Sequence, residues 1–327
     1  MTDAARLARL NAVKLAALVR AHVGGEPVLE PGEYGGGAAL LHGHDAWVLA
    51  ATDPERALGG ALAWAVRRGA GALHLVAESG TGLLARRAAA FSFPVHVWHA
   101  EGRALLPAVA EPLPVPPAVP AAHLEFEPVM VVAGAVPCVE HGVLAGEVRG
   151  LEVCRVVDDE FTGAVRLEVG VGAHDREAFL MLHGDRPTAD ALAEVVAAVA
   201  AHRRPGAASH PLNRLAKERA LRARLVAEPG LIGAEQVVAV APPVPRPNLK
   251  DPVPCVAVAT VAGRQVTVVC STGVDLDAVP FAIDARTAIG TAACCLVLPE
   301  RDAVGLQREL AALASPPVEV WPLADVS

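Results

Sequence analysis

Aromatic residues are scarce in this chain, only 3% of 327 residues, with one tyrosine, four tryptophans and six phenylalanines. A surface that stacks successive bases of a single strand needs aromatics interleaved with cations, and no basic stretch here has them. Lysine is nearly missing too, three residues against 25 arginines. Acids still outnumber bases, for a formal net charge of −8, so the arginines reflect composition rather than a nucleic-acid footprint. Long apolar runs are lacking. One of the longest, Val129 to Val136, falls far short of the ~20 residues of a membrane span. The N-terminal residues open an amphipathic pattern without an apolar signal core, so the expected location is cytoplasmic, with no membrane partner. There is no P-loop, no full GxGxxG after a strand and no HExxH. None of the six cysteines, Cys138, Cys154, Cys255, Cys270, Cys294 and Cys295, forms a CxxC pair. Buried free thiols are therefore expected, rather than a disulfide framework or a zinc site.

What is present is apolar material, 53% of residues against 20% charged, enough for folded cores. Length predicts two or three domains. Residues 107–120 hold six prolines and read as a semi-rigid linker. Six more in 242–254 read as an ordered surface segment leading into a strand. A second boundary falls near Arg204-Pro205-Gly206, where a helical pattern stops. The expected domains are thus 1–112, 113–206 and 207–327. Net charge is 0 over residues 1–113, −7 over 114–205 and −1 over 206–327. The middle third carries nearly all the acidity, which opposes binding of duplex DNA there.

Hydrophobic periodicity predicts a helix over 4–22, with Leu7, Leu10, Ala17, Leu18 and Ala21 on its apolar side. A hairpin follows, Ala38–Leu41 and Ala46–Ala50, through His42-Gly43-His44-Asp45. Asp53-Pro54-Glu55 marks a helix start, continued by Leu58, Leu62 and Ala65. Then come a strand at Leu73–Ala77, a helix at Leu83–Phe91 and a strand at Val95–Trp98. The last third runs in the same order. A helix covers Pro211–Val226, a hairpin Val256–Thr260 with Gln265–Cys270, and a helix about Asp275–Ala288. A strand at Ala293–Leu298, a helix at Arg301–Ala314 and a strand at Val318–Trp321 complete it. The closing strands match in character, Pro94-Val95-His96-Val97-Trp98 against Pro317-Val318-Glu319-Val320-Trp321. The expected fold class is mixed α/β. Two similar helix–hairpin–helix–strand–helix–strand units, the second a possible internal duplicate of the first, flank an acidic α+β middle domain. In that middle, 124–132, 143–157 and 164–171 read as strands, Phe179–Leu182 as part of a short helix and Thr188–His202 as a helix.

The element order of both outer thirds resembles the restriction-endonuclease-like, PD-(D/E)xK fold, over about 100 residues in each and in topology rather than motif. The resemblance implies an Asp at the hairpin and an acid-x-Lys on its second strand, holding Mg²⁺ for hydrolysis. Here that strand reads Trp47-Val48-Leu49 and Val268-Val269-Cys270, with neither acid nor lysine. Asp45, near the first turn, cannot make the site alone. Both copies therefore resemble degenerate versions with the catalytic motif missing, and fold alone assigns no activity.

Three clusters compete as sites. Ser79-Gly80-Thr81-Gly82 and Ser271-Thr272-Gly273 precede helices and could present N–H groups to an anion or simply cap them. Arg203, Arg204, Arg214, Lys217, Arg219, Arg222 and Arg224 form the densest basic run. Within it Arg203, Arg204, Arg214, Lys217 and Arg222 are the candidate nucleic-acid or anion contacts, against the alternative of a solvated helix face. Glu147, Glu152, Glu168, His174, Asp175 and Glu177 crowd the middle third. Alternation along one strand puts Glu152 with Cys154 and Val156, and Glu147 on the other face. Glu152, Glu168, His174 and Asp175 are the candidate catalytic set, with a divalent metal implied only on an enzyme reading. The alternative is ion pairing of Glu152 with Arg155 or Arg166. Three functions follow: a non-catalytic binding or scaffold protein, with a protein partner or weakly held nucleic acid; a metal-assisted hydrolase; or a structural homo-oligomer.

Overall fold

The computed structural model describes residues 3–159, 162–173, 175–177, 188–204, 206–208, 210–245 and 252–324. The chain is mixed α/β, with one antiparallel and two mixed sheets. It groups into two compact units. The first holds residues 1–113, 274–288 and 303–320, and the second holds 114–273, 289–302 and 321–327. The three segments expected from sequence are therefore distributed over two units. The middle third and the start of the last share one, while two helices of the last third are counted with the first.

In the first unit, strands β1 (Glu30–Gly32), β2 (Gly37–His42), β3 (Asp45–Ala50), β4 (Ala72–Ala77), β5 (Val95–Glu101) and β6 (Ala104–Pro107) form one sheet in that order. Pairings are antiparallel except for the parallel β3–β4 and β4–β5. Strands β4 and β5 sit parallel because helices α2 (Leu58–Arg67) and α3 (Thr81–Ala88) make the crossovers and pack back on the sheet. Helix α1 (Asp3–Val23) buries Leu15, Leu18 and Val19 against Ala38, Leu40, Trp47 and Leu49. Of the expected apolar stripe only Leu18 is buried, since Leu7 and Leu10 are 54% and 57% exposed and Ala17 and Ala21 are exposed too. The sheet engages the C-terminal half of the helix, and burial follows that contact rather than the strongest periodicity.

The Asp53-Pro54 start yields only a 3-10 turn, Pro54–Arg56, with Asp53 in the left-handed region at φ 44° and no side-chain cap. Helix α2 begins at Leu58 instead. A Cβ on Gly59 would lie 2.0 Å from the Leu276 carbonyl oxygen. Only glycine admits so close a backbone approach, and it lets the segment before α8 (Ala278–Ile289) lie against α2. Helix α9 (Gly305–Leu313) also packs on α2.

The second unit contains a four-stranded antiparallel sheet, β7 (Val136–Glu140), β8 (Val143–Val148), β9 (Leu151–Asp158) and β10 (Val165–Val169), in the order β10-β9-β8-β7. Helix α6 (Thr188–His202) covers it with Leu192, Val196 and Val199. Two expectations are corrected. Residues 124–132 are not a strand but parts of two short helices, α4 (Ala121–Leu124) and α5 (Glu127–Val132). Pro128 sits in the first turn of α5 and Gly134 follows at φ 87°. This start and stop chemistry outweighs the β-propensity of the valines. Residues 143–157 are not one strand but a hairpin, because Arg149 and Gly150 take φ 48° and 77° in a tight two-residue turn. The helix expected at Phe179–Leu182 lies outside the described residues.

The unit's other sheet runs β11 (Gln236–Val240), β12 (Cys255–Val261), β13 (Arg264–Cys270), β14 (Ala293–Pro299) and β15 (Glu319–Leu323) in that order. The β11–β12 and β12–β13 pairs are antiparallel, and β13–β14 is parallel. That is the order and the sense of β1 to β4. The helix expected over Pro211–Val226 is broken at Ala216, φ 46°, into a 3-10 turn, Pro211–Arg214, and α7 (Lys217–Ala227). None of the six cysteines is in a disulfide; five are buried and Cys138 is half-buried.

Candidate functional site

Five acids of the middle third, Glu140, Glu147, Glu152, Asp159 and Glu168, are bound to arginines. Because the 143–157 segment folds back, Glu147 and Glu152 are opposed across the hairpin, not set on alternate faces of one strand. Glu152 is buried. It accepts Arg155 through both oxygens, at 2.9 and 3.0 Å, and Arg176 at 3.0 Å. Arg176 also approaches Glu168 at 3.4 Å, and Glu168 accepts Arg166 at 2.9 Å. Arg166 further pairs with Asp159. The two carboxylates thus share Arg176, and their acceptor sites are largely occupied by guanidinium donors. Asp175 is exposed, and His174 lies outside the described residues. Among the described residues no three His, Cys, Asp or Glu side chains are grouped to hold a metal ion.

The basic run splits in the same way. Arg204, Arg214 and Lys217 are exposed. Arg203 donates to the Leu212, Leu215 and Arg149 carbonyls. Arg222 is 1% exposed and points inward, as does Arg219. Arg219 pairs with both Glu140 and Glu147. Arg222 donates to Glu140 at 2.9 Å, to Glu147 at 3.3 Å and to the Val256 carbonyl at 3.3 Å. Burial acts to raise the Glu140 carboxyl, but Arg219 and Arg222 outweigh it and hold the group below its ordinary value. Of five candidate anion contacts, three remain at the surface. The two small-residue turns also differ from each other. Gly80 precedes α3 in the left-handed region without a side-chain cap, whereas the Thr272 hydroxyl meets Glu218 and the Gly273 N–H donates to Asp302.

On the first sheet, the positions where the nuclease resemblance implies an acid and a lysine are core. Trp47, Val48 and Leu49 are buried, and so are Val268, Val269 and Cys270 on β13. Asp45 does find a partner, His74, at 3.7 Å. The His74 ring stacks on Trp47 with centroids 4.0 Å apart, and its Nδ1 accepts the Trp98 indole N–H at 3.0 Å. That bond places the ring proton on Nε2, toward Asp45. Burial, reinforced by His96, lowers the His74 pKa to about 4 against the pull of Asp45, so the ring is neutral near pH 7. Strand register predicts this neighbourhood, since Trp47, His74 and His96 are successive cross-strand partners. Sequence periodicity marks each strand but not their order in the sheet.

Comparison with protein-family models, curated proteins and solved structures finds no match.

A second buried charge network, unforeseen from sequence, occupies the first unit. Asp284 on α8 accepts Arg86 through both oxygens, at 3.0 and 3.2 Å, and Arg87 at 2.6 Å. Arg87, 2% exposed, also donates to Asp277 at 3.0 Å. One oxygen of Asp277 has no hydrogen-bond partner among the described residues. Burial raises the Asp277 pKa to about 7 despite Arg87, with Asp275 adding to the rise. The consequence for stability has a definite sign. From the ordinary 3.8 up to about 7, the folded state holds a proton that the unfolded chain has lost. Folding is therefore progressively disfavoured as pH rises across that window, then levels off. Asp277→Asn is expected to gain stability relative to the native chain between about pH 4 and about pH 8 in urea titrations. A native chain that gains on the variant over that range would mean that Arg87 dominates the group.

Proposed function

We propose that this protein is a non-catalytic binding or scaffold protein, built from two degenerate nuclease-like units around an acidic middle segment. The observation that carries this reading is the burial of Trp47-Val48-Leu49 and Val268-Val269-Cys270 in the cores of their sheets. A Mg²⁺ site of the nuclease kind needs carboxylates and a lysine reaching solvent and substrate from those strands, and apolar side chains turned into a core supply neither. The shared order and sense of β1–β4 and β11–β14 support descent of both sheets from one duplicated unit. The arginine-bound Glu152 and Glu168 support a structural use of the middle acids, since carboxylates saturated by guanidinium are poor general bases and poor metal ligands. The partner is a protein. The net negative charge and the small exposed set Arg204, Arg214 and Lys217 suit only weak, salt-sensitive contact with nucleic acid.

The test is hydrolysis. Plasmid DNA, a single-stranded oligonucleotide and a phosphodiester dye are incubated with the protein in Mg²⁺ or Mn²⁺. No turnover above a metal-only blank is expected. Metal-dependent cleavage that disappears in Glu152→Gln would overturn the reading and restore the hydrolase assignment to the middle sheet.

A further inference from the structure

The first unit contains a cavity of about 310 Å³ lined by Tyr34, Gly60, Ala63, Trp64, Arg67, Arg68, Leu276 and Leu306. We propose that it is a binding site for a small flat aromatic carboxylate.

The lining argues for the ring. The only tyrosine of the chain and one of its four tryptophans stand on this one cavity, in a protein otherwise poor in aromatics. The surface between them is made small by sequence. Gly60 and Ala63 face the cavity from α2, and a Cβ on Gly60 would come within 3.3 Å of the Tyr34 hydroxyl. Trp64 lies over Gly32 so closely that a Cβ there would be 2.4 Å from the indole. Two aromatic side chains on a lining otherwise kept small by glycine and alanine suit a planar group better than a branched one. Its volume lies at the lower end of the roughly 300–1,000 Å³ of small-molecule sites.

The rim argues for the charge. Arg67 and Arg68 are both exposed. Neither makes an ion pair with an acid among the described residues, and no acid lines the cavity. This contrasts with Arg86, Arg87, Arg155, Arg176, Arg219 and Arg222, each bound to a carboxylate. The Arg68 guanidinium is held over the Trp64 ring, 5.4 Å from its centroid, which fixes a cation at the mouth of an aromatic slot. Two unneutralised guanidinium groups beside apolar walls select an anion with an apolar body. The Tyr34 hydroxyl donates to the Ala57 carbonyl at 3.3 Å, which leaves its oxygen to accept, and burial, with Asp277 second, pushes its pKa up to about 12. The arginines also suit the negative end of α2, a role that requires no ligand and predicts no binding.

This inference stands apart from the scaffold reading, since its test measures binding and the other measures hydrolysis. The probe is 2-naphthoate, titrated by calorimetry and by tryptophan fluorescence against 2-naphthamide and acetate. Saturable binding at one site is expected, about tenfold tighter for the carboxylate than for the amide, with none for acetate. Arg67→Gln with Arg68→Gln, both at the surface, is expected to weaken naphthoate about tenfold with a fall in Tm of no more than a few degrees, from the lost cation–π and helix-dipole contacts. Gly60→Leu, which fills the slot, is expected to abolish binding of both ring compounds. Absence of saturation at millimolar probe, equal affinity for the amide, or naphthoate affinity unchanged in the double arginine variant would each overturn the proposal. So would unchanged binding by a folded Gly60→Leu protein. If Gly60→Leu does not fold, the double variant and the amide comparison decide.

Discussion

Arg222→Met is expected to cost about 3–5 kcal/mol of folding stability, the range for removing one partner of a buried ion pair. Arg222 reaches Glu140, Glu147 and the Val256 carbonyl from α7 while 1% exposed. Methionine fills much of its volume but leaves two carboxylates on β7 and β8 with Arg219 as their remaining ion-pair partner among the described residues. The loss therefore comes from charge left buried more than from a cavity. Arg214→Met, in the same basic run but at the surface, is expected to change stability by no more than about 0.5 kcal/mol. Urea denaturation of both variants measures the contrast. Equal small effects would show that the Arg219–Arg222 network contributes no net stability. Because Glu140 is held below its ordinary pKa, that part of the network's stabilisation is complete above the ordinary value of 4.5. It is lost as pH falls through the lower, folded value.

Asp284→Ala is expected to be as damaging, again about 3–5 kcal/mol, through the opposite sign of charge. The carboxylate is 1% exposed and accepts both Arg86 and Arg87. Its removal leaves Arg87, itself buried, with Asp277 and the Glu55 carbonyl as its remaining acceptors. Arg86 loses less, since it still reaches Glu111 and the Pro112 carbonyl at the surface. Asp284→Asn keeps the shape and one acceptor oxygen, so an intermediate loss is expected. A loss below about 1 kcal/mol in the alanine variant, read by denaturant midpoint at constant m-value, would mean that the arginines find water when Asp284 is gone. Neither network is of a kind that stabilises more than apolar residues of equal shape. Each network ties a helix to its neighbours, α7 to β7 and β8 and α8 to α3.

Where local chemistry dominates, the sequence was readable. The two-residue hairpins at Gly43-His44 and Ala262-Gly263, the 3.6-residue period of α6 and the compact apolar strands β4 and β14 carry their signals within a few residues. The matching order of elements in the outer thirds was visible for the same reason, and so was the absence of acid and lysine from Trp47-Val48-Leu49 on β3 and Val268-Val269-Cys270 on β13. Elements were misread where two local signals conflicted. The valines of 124–132 spoke for a strand until Pro128 and Gly134 decided otherwise. Arg149-Gly150 inside an apolar run was too short a punctuation to be seen as a turn.

The charged residues mark the limit of sequence reading. Arg214 and Arg222 are alike in sequence, eight residues apart in the chain's basic run, yet one is solvated and the other is the centre of a buried network. Arg87 and Asp284 are separated by 197 residues, and no periodicity links them. Composition and pattern by themselves determined that this is a mixed α/β protein without a disulfide framework, and that Trp47-Val48-Leu49 and Val268-Val269-Cys270 carry neither acid nor lysine. Only tertiary structure decided which carboxylate meets which arginine, and that Tyr34, Trp64, Arg67 and Arg68 share one cavity. Hydrophobic burial and turn geometry are encoded locally, whereas the partner of a buried charge is set by whatever the folded chain brings within about 4 Å of it.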